Sequence, residues 1–312
     1  MDDRSDDLLR RIRSLRTYRH GERRAPHKPL LILFAIAQLQ HGIRRIAFDE
    51  VVRTLGALLS AYAPPVKGRH QPALPYWHLA TDGLWVVDDA PRLKRQASGF
   101  PTMAALRSTS AGFPKDIADR LAGDTTLANA VVRQLLEEHF APSTHEDILL
   151  AFGLESAVVG LEGAEIVAEV RPDGADRRRG ALFRGEVLRA YEFRCAFSGF
   201  RASLHGSYLG CEAAHVRWHS HSGPDNLANG IALEPTIHKL FDVGAWSLTD
   251  DLRIIVSSHF TGSDETVRRI RGRHGQPLRP PLPGSPTPDP KHIKWHREAN
   301  LGGVFRSPAL PL

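Results

Sequence analysis

The sequence predicts an α+β protein of two domains, in which a helix-rich N-terminal part precedes a small unit of strand, loop, strand and helix. Two observations support this prediction. Apolar residues recur at helical spacing through most of the first half of the chain, and the segment from Cys211 to Asp242 contains two short apolar runs separated by a polar loop. At 312 residues, with 42% hydrophobic and 24% charged residues, the chain is long enough for two hydrophobic cores.

Charge and cysteine content narrow the classes of function. The chain carries 41 Lys and Arg against 35 Asp and Glu, and this net charge of +6 favours polyanionic partners. No apolar run approaches the ~18 residues of a membrane span, and the acidic start has no apolar signal region. Because Cys195 and Cys211 are too few for a disulfide framework, we expect buried free thiols and a reducing, cytoplasmic location.

Helical spacing defines the first elements. Leu8, Ile12 and Leu15 predict an amphipathic helix with an arginine-rich outer face. A basic loop containing Pro and Gly follows, and it leads into an apolar helix that begins at Pro29 and ends at Gly42. The cations of this loop, next to the free amides of a helix N-terminus, predict a binding place for phosphate.

A further helix and a hairpin are predicted next. Apolar spacing from Phe48 to Tyr62 indicates a helix, and a second basic loop follows it. P-Y-W-H-L and L-W-V-V flank an Asp-Gly pair and predict two strands around a turn. Helices followed by a hairpin predict a winged-helix-like DNA-binding module. Residues 100–113 are predicted to be a loop, and apolar spacing from Leu127 to Leu136 predicts a later helix.

The sequence divides into a domain of residues 1–154, a linker of residues 155–180 and a domain of residues 181–312. The linker is predicted from its mixture of Gly, acidic and small apolar residues. The second domain is expected to begin with a helix, and to contain a strand after Asp251. From Pro277 onward the Pro-rich composition predicts an extended surface segment.

The segment that ends at Asp242 carries the candidate catalytic residues. On its predicted helix, His238 and Asp242 lie one turn apart, so both side chains leave the same face. An imidazole and a carboxylate together suit Mg²⁺, Mn²⁺ or Zn²⁺. His215 is placed to take a proton from water, while Asn229 either fixes the loop or orients that histidine. A general base that activates water, next to a metal ion that stabilises the leaving oxygen, can hydrolyse a phosphodiester bond.

At these residues the chain resembles the HNH, or ββα-metal, nucleases. The upstream R-C-A-F-S-G-F and the downstream F-D-V-G-A-W-S-L-T-D-D are also similar to that family. The resemblance implies that His215 is the general base, that Asn229 organises the strand and loop, and that His238 and Asp242 hold a divalent metal in the catalytic site.

One position departs from the family pattern. Many HNH enzymes carry Asp or His directly before the base as a further metal ligand, whereas this chain has Ala214. Glu212 lies two residues earlier on the same face of the strand and is the candidate replacement ligand. The departure leaves open a different class of function, a DNA-binding regulator with an inactive nuclease domain.

The N-terminal part resembles the sulfur-binding domain of McrA-type, type IV restriction enzymes, through A-P-H-K-P-L-L-I-L-F-A and L-P-Y-W-H-L-A-T-D-G-L-W. That family recognises phosphorothioate DNA, in which sulfur replaces one non-bridging backbone oxygen. The resemblance implies a shallow apolar pocket ringed by cations, which penalises the more strongly hydrated oxygen. The residues assigned by this resemblance, or by charge and position near it, are His27, Lys28, Pro75, Tyr76, His78, Arg19, Arg24, Arg69 and His70.

Together, these features predict a restriction endonuclease that binds double-stranded phosphorothioate DNA and cuts nearby with a divalent metal. An HNH nuclease that recognises another mark, such as methylcytosine, or a plain sequence is an open alternative. Cutting of both strands by chains with one active site each is compatible with a homodimer.

Overall fold

A computed structural model describes most of the chain, and it divides into two compact units. One unit comprises Met1–Tyr18 with Arg24–Ala168, and the other comprises Arg19–Arg23 with Glu169–Leu312. The described residues are 3–15, 19–20, 23–63, 71–154, 174–298 and 303–311, and side chains are described for all of these except 3–5, 19–20, 23–24 and 174–181. The α+β class predicted from the sequence is confirmed.

Helices dominate the first half of the chain. They are α1 Asp3–Arg13, α2 His27–Gln40, α3 Phe48–Tyr62, α4 Ala73–His78, α5 Met103–Arg107, α6 Lys115–Gly123, α7 Thr125–His139 and α8 His145–Phe152. The strands are β1 Arg19–His20, β2 Arg23–Arg24, β3 Ile46–Ala47, β4 Val86–Val87 and β5 Ser110–Gly112. Helix α2 is buried almost all round and forms the centre of the core, as its apolar sequence predicts.

The predicted hairpin between Pro75 and Val87 is wrong. P-Y-W-H belongs to helix α4, and a turn of 3₁₀-helix, Leu79–Asp82, follows it. Tyr76 and Leu79 are both fully buried and lie three residues apart, which is a helical spacing and not an alternating one. Strand β4 instead pairs antiparallel with β5, in a sheet of order β3-β5-β4, so the predicted loop 100–113 contains both a helix and the central strand.

The second half of the chain contains small antiparallel sheets and four helices among its described residues. The helices are α9 Gly174–Ala190, α10 Pro235–Asp242, α11 Asp264–Arg271 and α12 Pro290–Arg297. The strands are β6 Ala202–Leu204, β7 Ser207–Leu209, β8 Glu212–His215, β9 Gly230–Leu233, β10 Trp246–Leu248 and β11 Ile254–Val256. The predicted linker residues 155–173 lie outside the described residues, and residues 174–180 belong to α9.

Strands β8 and β9 and helix α10 form the framework of the candidate site. The two strands pair antiparallel, with Glu212 opposite Leu233 and His215 opposite Gly230. A Cβ atom on Gly230 would lie 2.4 Å from Cγ2 of Val187 on α9, so only glycine allows this close approach. The predicted bounds of α10 are confirmed, with Pro235 in its first turn.

The segment after Pro277 is not extended throughout, which corrects the prediction from its Pro-rich composition. Asp289 caps helix α12 by accepting a hydrogen bond from the Lys291 amide, and Pro290 occupies the first helical position. Trp295 and His296 of this helix are 1% and 0% exposed, so the helix contributes to the core. Cys195 and Cys211 are buried free thiols, as expected. Within the described residues, no helix combines the length and apolar character that crossing a bilayer requires.

Candidate functional site

The candidate base, His215, lies at the end of strand β8 and forms a pair with a carboxylate. Its Nε2 atom is 2.8 Å from Oδ1 of Asp225 in the following loop. On one side the imidazole stacks on the ring of Phe183 from α9, with ring centres 4.1 Å apart. Burial lowers the pKa of His215, and Asp225 opposes this shift without cancelling it. The imidazole is therefore neutral at pH 7 and able to accept a proton.

Asp225 is a site residue that the sequence reasoning missed. It lies in the polar S-G-P-D turn, where an aspartate is ordinarily explained as a turn former. The fold brings it back over the end of β8 because Gly223 permits a tight turn there. A Cβ atom on Gly223 would lie 1.8 Å from the carbonyl oxygen of Arg217.

His238 on helix α10 lies between two carboxylates. Its Nδ1 atom is 2.8 Å from Oε2 of Glu212, and its Nε2 atom is 3.2 Å from Oδ2 of Asp242. Burial lowers the pKa of His238, but the two carboxylates together outweigh burial and raise it to about 10. Asp242 is 3% exposed, and its Oδ1 accepts a hydrogen bond of 3.1 Å from Nε1 of Trp218. The structure thus brings together Glu212, His238 and Asp242.

The chemistry of these donors fits a divalent cation. Two carboxylates and an imidazole are ligands for Mg²⁺, Mn²⁺ or Zn²⁺, and Trp218 orients one carboxylate as second-layer partners of metal ligands do. In the arrangement described, both ring nitrogens of His238 contact carboxylates. Among the described residues, no three His, Cys, Asp or Glu side chains are arranged so that together they could hold a metal ion without rearrangement.

Asn229 fixes the loop between β8 and β9. Its side chain is fully buried; Oδ1 accepts a hydrogen bond from the Arg217 amide at 2.8 Å, and Nδ2 donates to the carbonyls of Arg217 and Pro224 at 2.9 and 3.0 Å. Of the two roles considered from the sequence, the contacts match organisation of the loop. Asn229 holds in place the segment that carries Asp225.

A groove of about 710 Å³ lies on the first unit, next to helix α4. Its walls are largely apolar and include Leu74, Trp77, His78, Phe100 and Met103. The ring of His78 lies 5.7 Å from that of Phe100. Burial, and then the charge of Lys28, lower the pKa of His78, so this wall residue is uncharged at neutral pH.

The other residues predicted for DNA binding differ in how deeply they are buried. Tyr76, which was expected at or beside the pocket, is 0% exposed and does not line the groove; its hydroxyl hydrogen-bonds Oγ1 of Thr109 at 3.0 Å in the core. Pro75 is buried in the same helix, and His27 is half-buried in the first turn of α2.

Lys28 follows His27 in α2 and binds Asp82 at 2.5 Å. The carboxylate of Asp82 therefore compensates its charge in the protein without DNA. The side chains of Arg19 and Arg24, and the whole of Arg69 and His70, lie outside the described residues.

Comparisons with known proteins agree with both halves of this arrangement. Residues 5–157 match the family model of the ScoMcrA-like DNA sulfur-binding domain, and residues 195–249 match that of the HNH endonuclease. No curated protein matches the chain.

Several solved structures are similar to the N-terminal part. One is the sulfur binding domain of ScoMcrA complexed with phosphorothioated DNA, with 25% identity over 47% of this chain and 96% of that one, and a TM-score of 0.41. The corresponding SprMcrA complex has 25% identity over 50% and 97%, with a TM-score of 0.42. The type IV phosphorothioation-dependent restriction endonuclease ScoMcrA has 26% identity, with a TM-score of 0.40. There the similarity covers 48% of this chain and 33% of that one.

The strand pair, the helix and their histidines define the C-terminal part as an HNH nuclease domain, a family that generally uses a divalent metal. The N-terminal part is a sulfur-binding domain of the ScoMcrA-like family. Both family memberships expected from the sequence are confirmed.

Proposed function

We propose that this protein is a modification-dependent restriction endonuclease that binds phosphorothioate DNA and hydrolyses phosphodiester bonds nearby. The observation that carries the proposal is that one chain joins a sulfur-binding domain to a nuclease domain in which His215 pairs with Asp225 and His238 contacts Glu212. Binding by the N-terminal domain would restrict cleavage to DNA that carries a phosphorothioate group.

His215 is the general base of the proposed reaction. Its Nε2 hydrogen donates to Asp225, which leaves the lone pair of Nδ1 to accept a proton from the attacking water. The negative charge of Asp225 stabilises the imidazolium that forms, and the stacked Phe183 holds the ring in one orientation.

Glu212, His238 and Asp242 are the residues that would hold Mg²⁺, Mn²⁺ or Zn²⁺. A bound cation of this type supplies charge stabilisation for the leaving oxygen. Glu212 then provides the carboxylate for which the chain has no counterpart at Ala214, and this argues against an inactive nuclease domain.

The groove beside α4 is the candidate site for the sulfur atom. Its apolar wall at Leu74 and Trp77 favours a large, weakly hydrated sulfur over an oxygen, which loses more hydration on entry. The neutral His78 adds a polar edge without an extra charge. In this proposal Lys28 exchanges part of its contact with Asp82 for a backbone phosphate when DNA binds.

The proposal is tested by cleavage of otherwise identical duplexes that carry Rp-sulfur, Sp-sulfur or oxygen at one phosphate, with Mg²⁺ or Mn²⁺. We expect cutting of one sulfur isomer and little cutting of the oxygen duplex, and equal cutting of all three would remove the sulfur assignment. His215→Ala is expected to abolish cleavage and to keep DNA binding. If cutting by this variant persists, His215 is not the base. Double-strand cutting that depends on the second power of protein concentration would support a homodimer.

A further inference from the structure

A second cavity lies on the nuclease unit, away from the strand pair that carries the candidate base. It has a volume of about 240 Å³ and lies between the end of helix α9 and the Pro-rich segment that begins near Arg279. Its walls include Tyr191, Glu192, Arg194, Arg279 and Leu282. None of these residues has a role in the reaction proposed above.

Two guanidinium groups converge at this cavity. Nη1 of Arg194 donates to the carbonyl oxygen of Gly199 at 3.3 Å. The guanidinium of Arg279 lies over the same glycine, because a Cβ atom there would be 2.8 Å from Nε and 2.9 Å from Nη2 of Arg279. Gly199 has a φ of +81°, a left-handed backbone conformation that favours glycine.

The two arginines have no carboxylate partner among the described residues. Neither forms an ion pair within 4.0 Å there, whereas other arginines of this unit do. Arg253, for example, pairs with Asp251. Burial and then the nearby Arg279 lower the pKa of a third guanidinium, that of Arg273. The charges of Arg273 and Arg279 therefore repel each other, and a bound anion would relieve this repulsion.

Tyr191, which also lines the cavity, carries a polar group that is unsatisfied within the described part of the chain. Tyr191 is 6% exposed, and its hydroxyl is buried without a hydrogen-bond partner among the described residues. Buried hydroxyls in native proteins usually have a hydrogen-bond partner, such as an ordered water.

We propose that Arg194 and Arg279, which line this cavity with Tyr191, bind a tetrahedral oxyanion, and that this oxyanion is a backbone phosphate of the DNA that the nuclease domain cuts. Guanidinium groups bind phosphate oxygens through paired, charge-assisted hydrogen bonds. The exposed Glu192 is the one carboxylate that lines the cavity, and it forms no ion pair with either arginine among the described residues. The inference rests on the proposed function, since it assumes that the nuclease domain engages DNA.

The test measures the affinity of full-length protein for a phosphorothioate duplex over a range of salt concentrations. All proteins carry His215→Ala, so that the DNA stays intact. The variants are Arg194→Gln, Arg279→Gln and the two combined, and Arg253→Gln is the matched control because it also removes one arginine charge from the same unit. Glu192→Gln is the opposite change, and it keeps the test informative if an arginine variant folds poorly.

We expect the combined variant to lose affinity about tenfold, and the slope of log K against log salt to fall by about 0.9, the value for one lost phosphate contact. Arg253→Gln should change neither quantity, and Glu192→Gln should tighten binding. The preference for sulfur over oxygen should be unchanged, because the arginines are not part of the sulfur groove.

Inorganic phosphate separates the two sources of a tetrahedral anion. If the variants bind DNA like the control but lose a measurable affinity of the protein for inorganic phosphate, the cavity is an anion site and its assignment to the DNA backbone is wrong. If neither affinity changes, the whole inference is wrong. A parent protein that binds no DNA at all would instead refute the proposed function, so the two failures are distinguishable.

Discussion

Replacement of Asp225 by asparagine tests whether the carboxylate beside His215 contributes to catalysis. Asp225→Asn keeps the size of the side chain and removes its charge. The hydrogen bond between Asp225 and His215 is 2.8 Å long. The side chains of His215 and Asp225 are 22% and 18% exposed, so solvent screens their interaction only in part. A hydrogen bond to a charged group contributes about 1.5–3 kcal/mol, and because this one strengthens as the imidazolium forms, we expect kcat to fall about 10- to 150-fold.

The pH dependence of cleavage is an independent test of the same variant, because the direction of its shift can be predicted. His215 acts in its neutral form, so the rate falls as the pH decreases through the pKa of His215. Burial already lowers this pKa, and Asp225 raises it part of the way back. Removal of the charge therefore lowers the pKa further. The acidic limb of the pH–rate profile should move to lower pH even though the maximal rate is smaller.

The assay is single-turnover cleavage of a saturating phosphorothioate duplex between about pH 5 and pH 8, a range chosen to bracket the ordinary histidine pKa. Asp251→Asn is the matched control, since Asp251 is an exposed carboxylate of the same unit that contacts Thr249 and Arg253 away from the site. A wild-type rate for Asp225→Asn, or a limb that moves to higher pH, would refute the reasoning.

Three further outcomes are expected from single substitutions. Trp218→Phe keeps an aromatic ring but removes the donor to Asp242, and it should weaken activating-metal affinity about tenfold in a metal titration of cleavage. Asn229→Ala removes three hydrogen bonds that hold the β8–β9 loop, and it should lower the free energy of unfolding in urea by about 2–4 kcal/mol. Tyr76→Phe removes the buried bond to Thr109 and should cost about 1 kcal/mol of stability while DNA affinity stays the same, because this side chain is part of the core.

The catalytic framework was predictable from the sequence because its signals are local. Pro235 marks the start of α10, and the spacing of His238 and Asp242 along one helix fixes them on one face whatever surrounds the helix. The position of Glu212 two residues before Ala214 placed it on the same side of a strand, and its carboxylate does reach His238.

The features that were missed depend on contacts between distant residues. The partner of strand β4 is β5, well beyond the Asp-Gly turn that favours a local hairpin, and the helical burial of Tyr76 overrides the β propensity of its neighbours. Asp225 reaches His215 only because Gly223 and Asn229 shape the loop. No periodicity in the sequence reports such a contact.

In the proposed function, this protein distinguishes sulfur from oxygen on the DNA backbone before it cuts. The most direct measurement is the equilibrium affinity of full-length His215→Ala protein for matched duplexes that carry Rp-sulfur, Sp-sulfur or oxygen at one phosphate, at a fixed salt concentration near ~150 mM. We expect one sulfur isomer to bind about tenfold more tightly than the oxygen duplex, a difference of ~1.4 kcal/mol. Equal affinity for all three duplexes would contradict it.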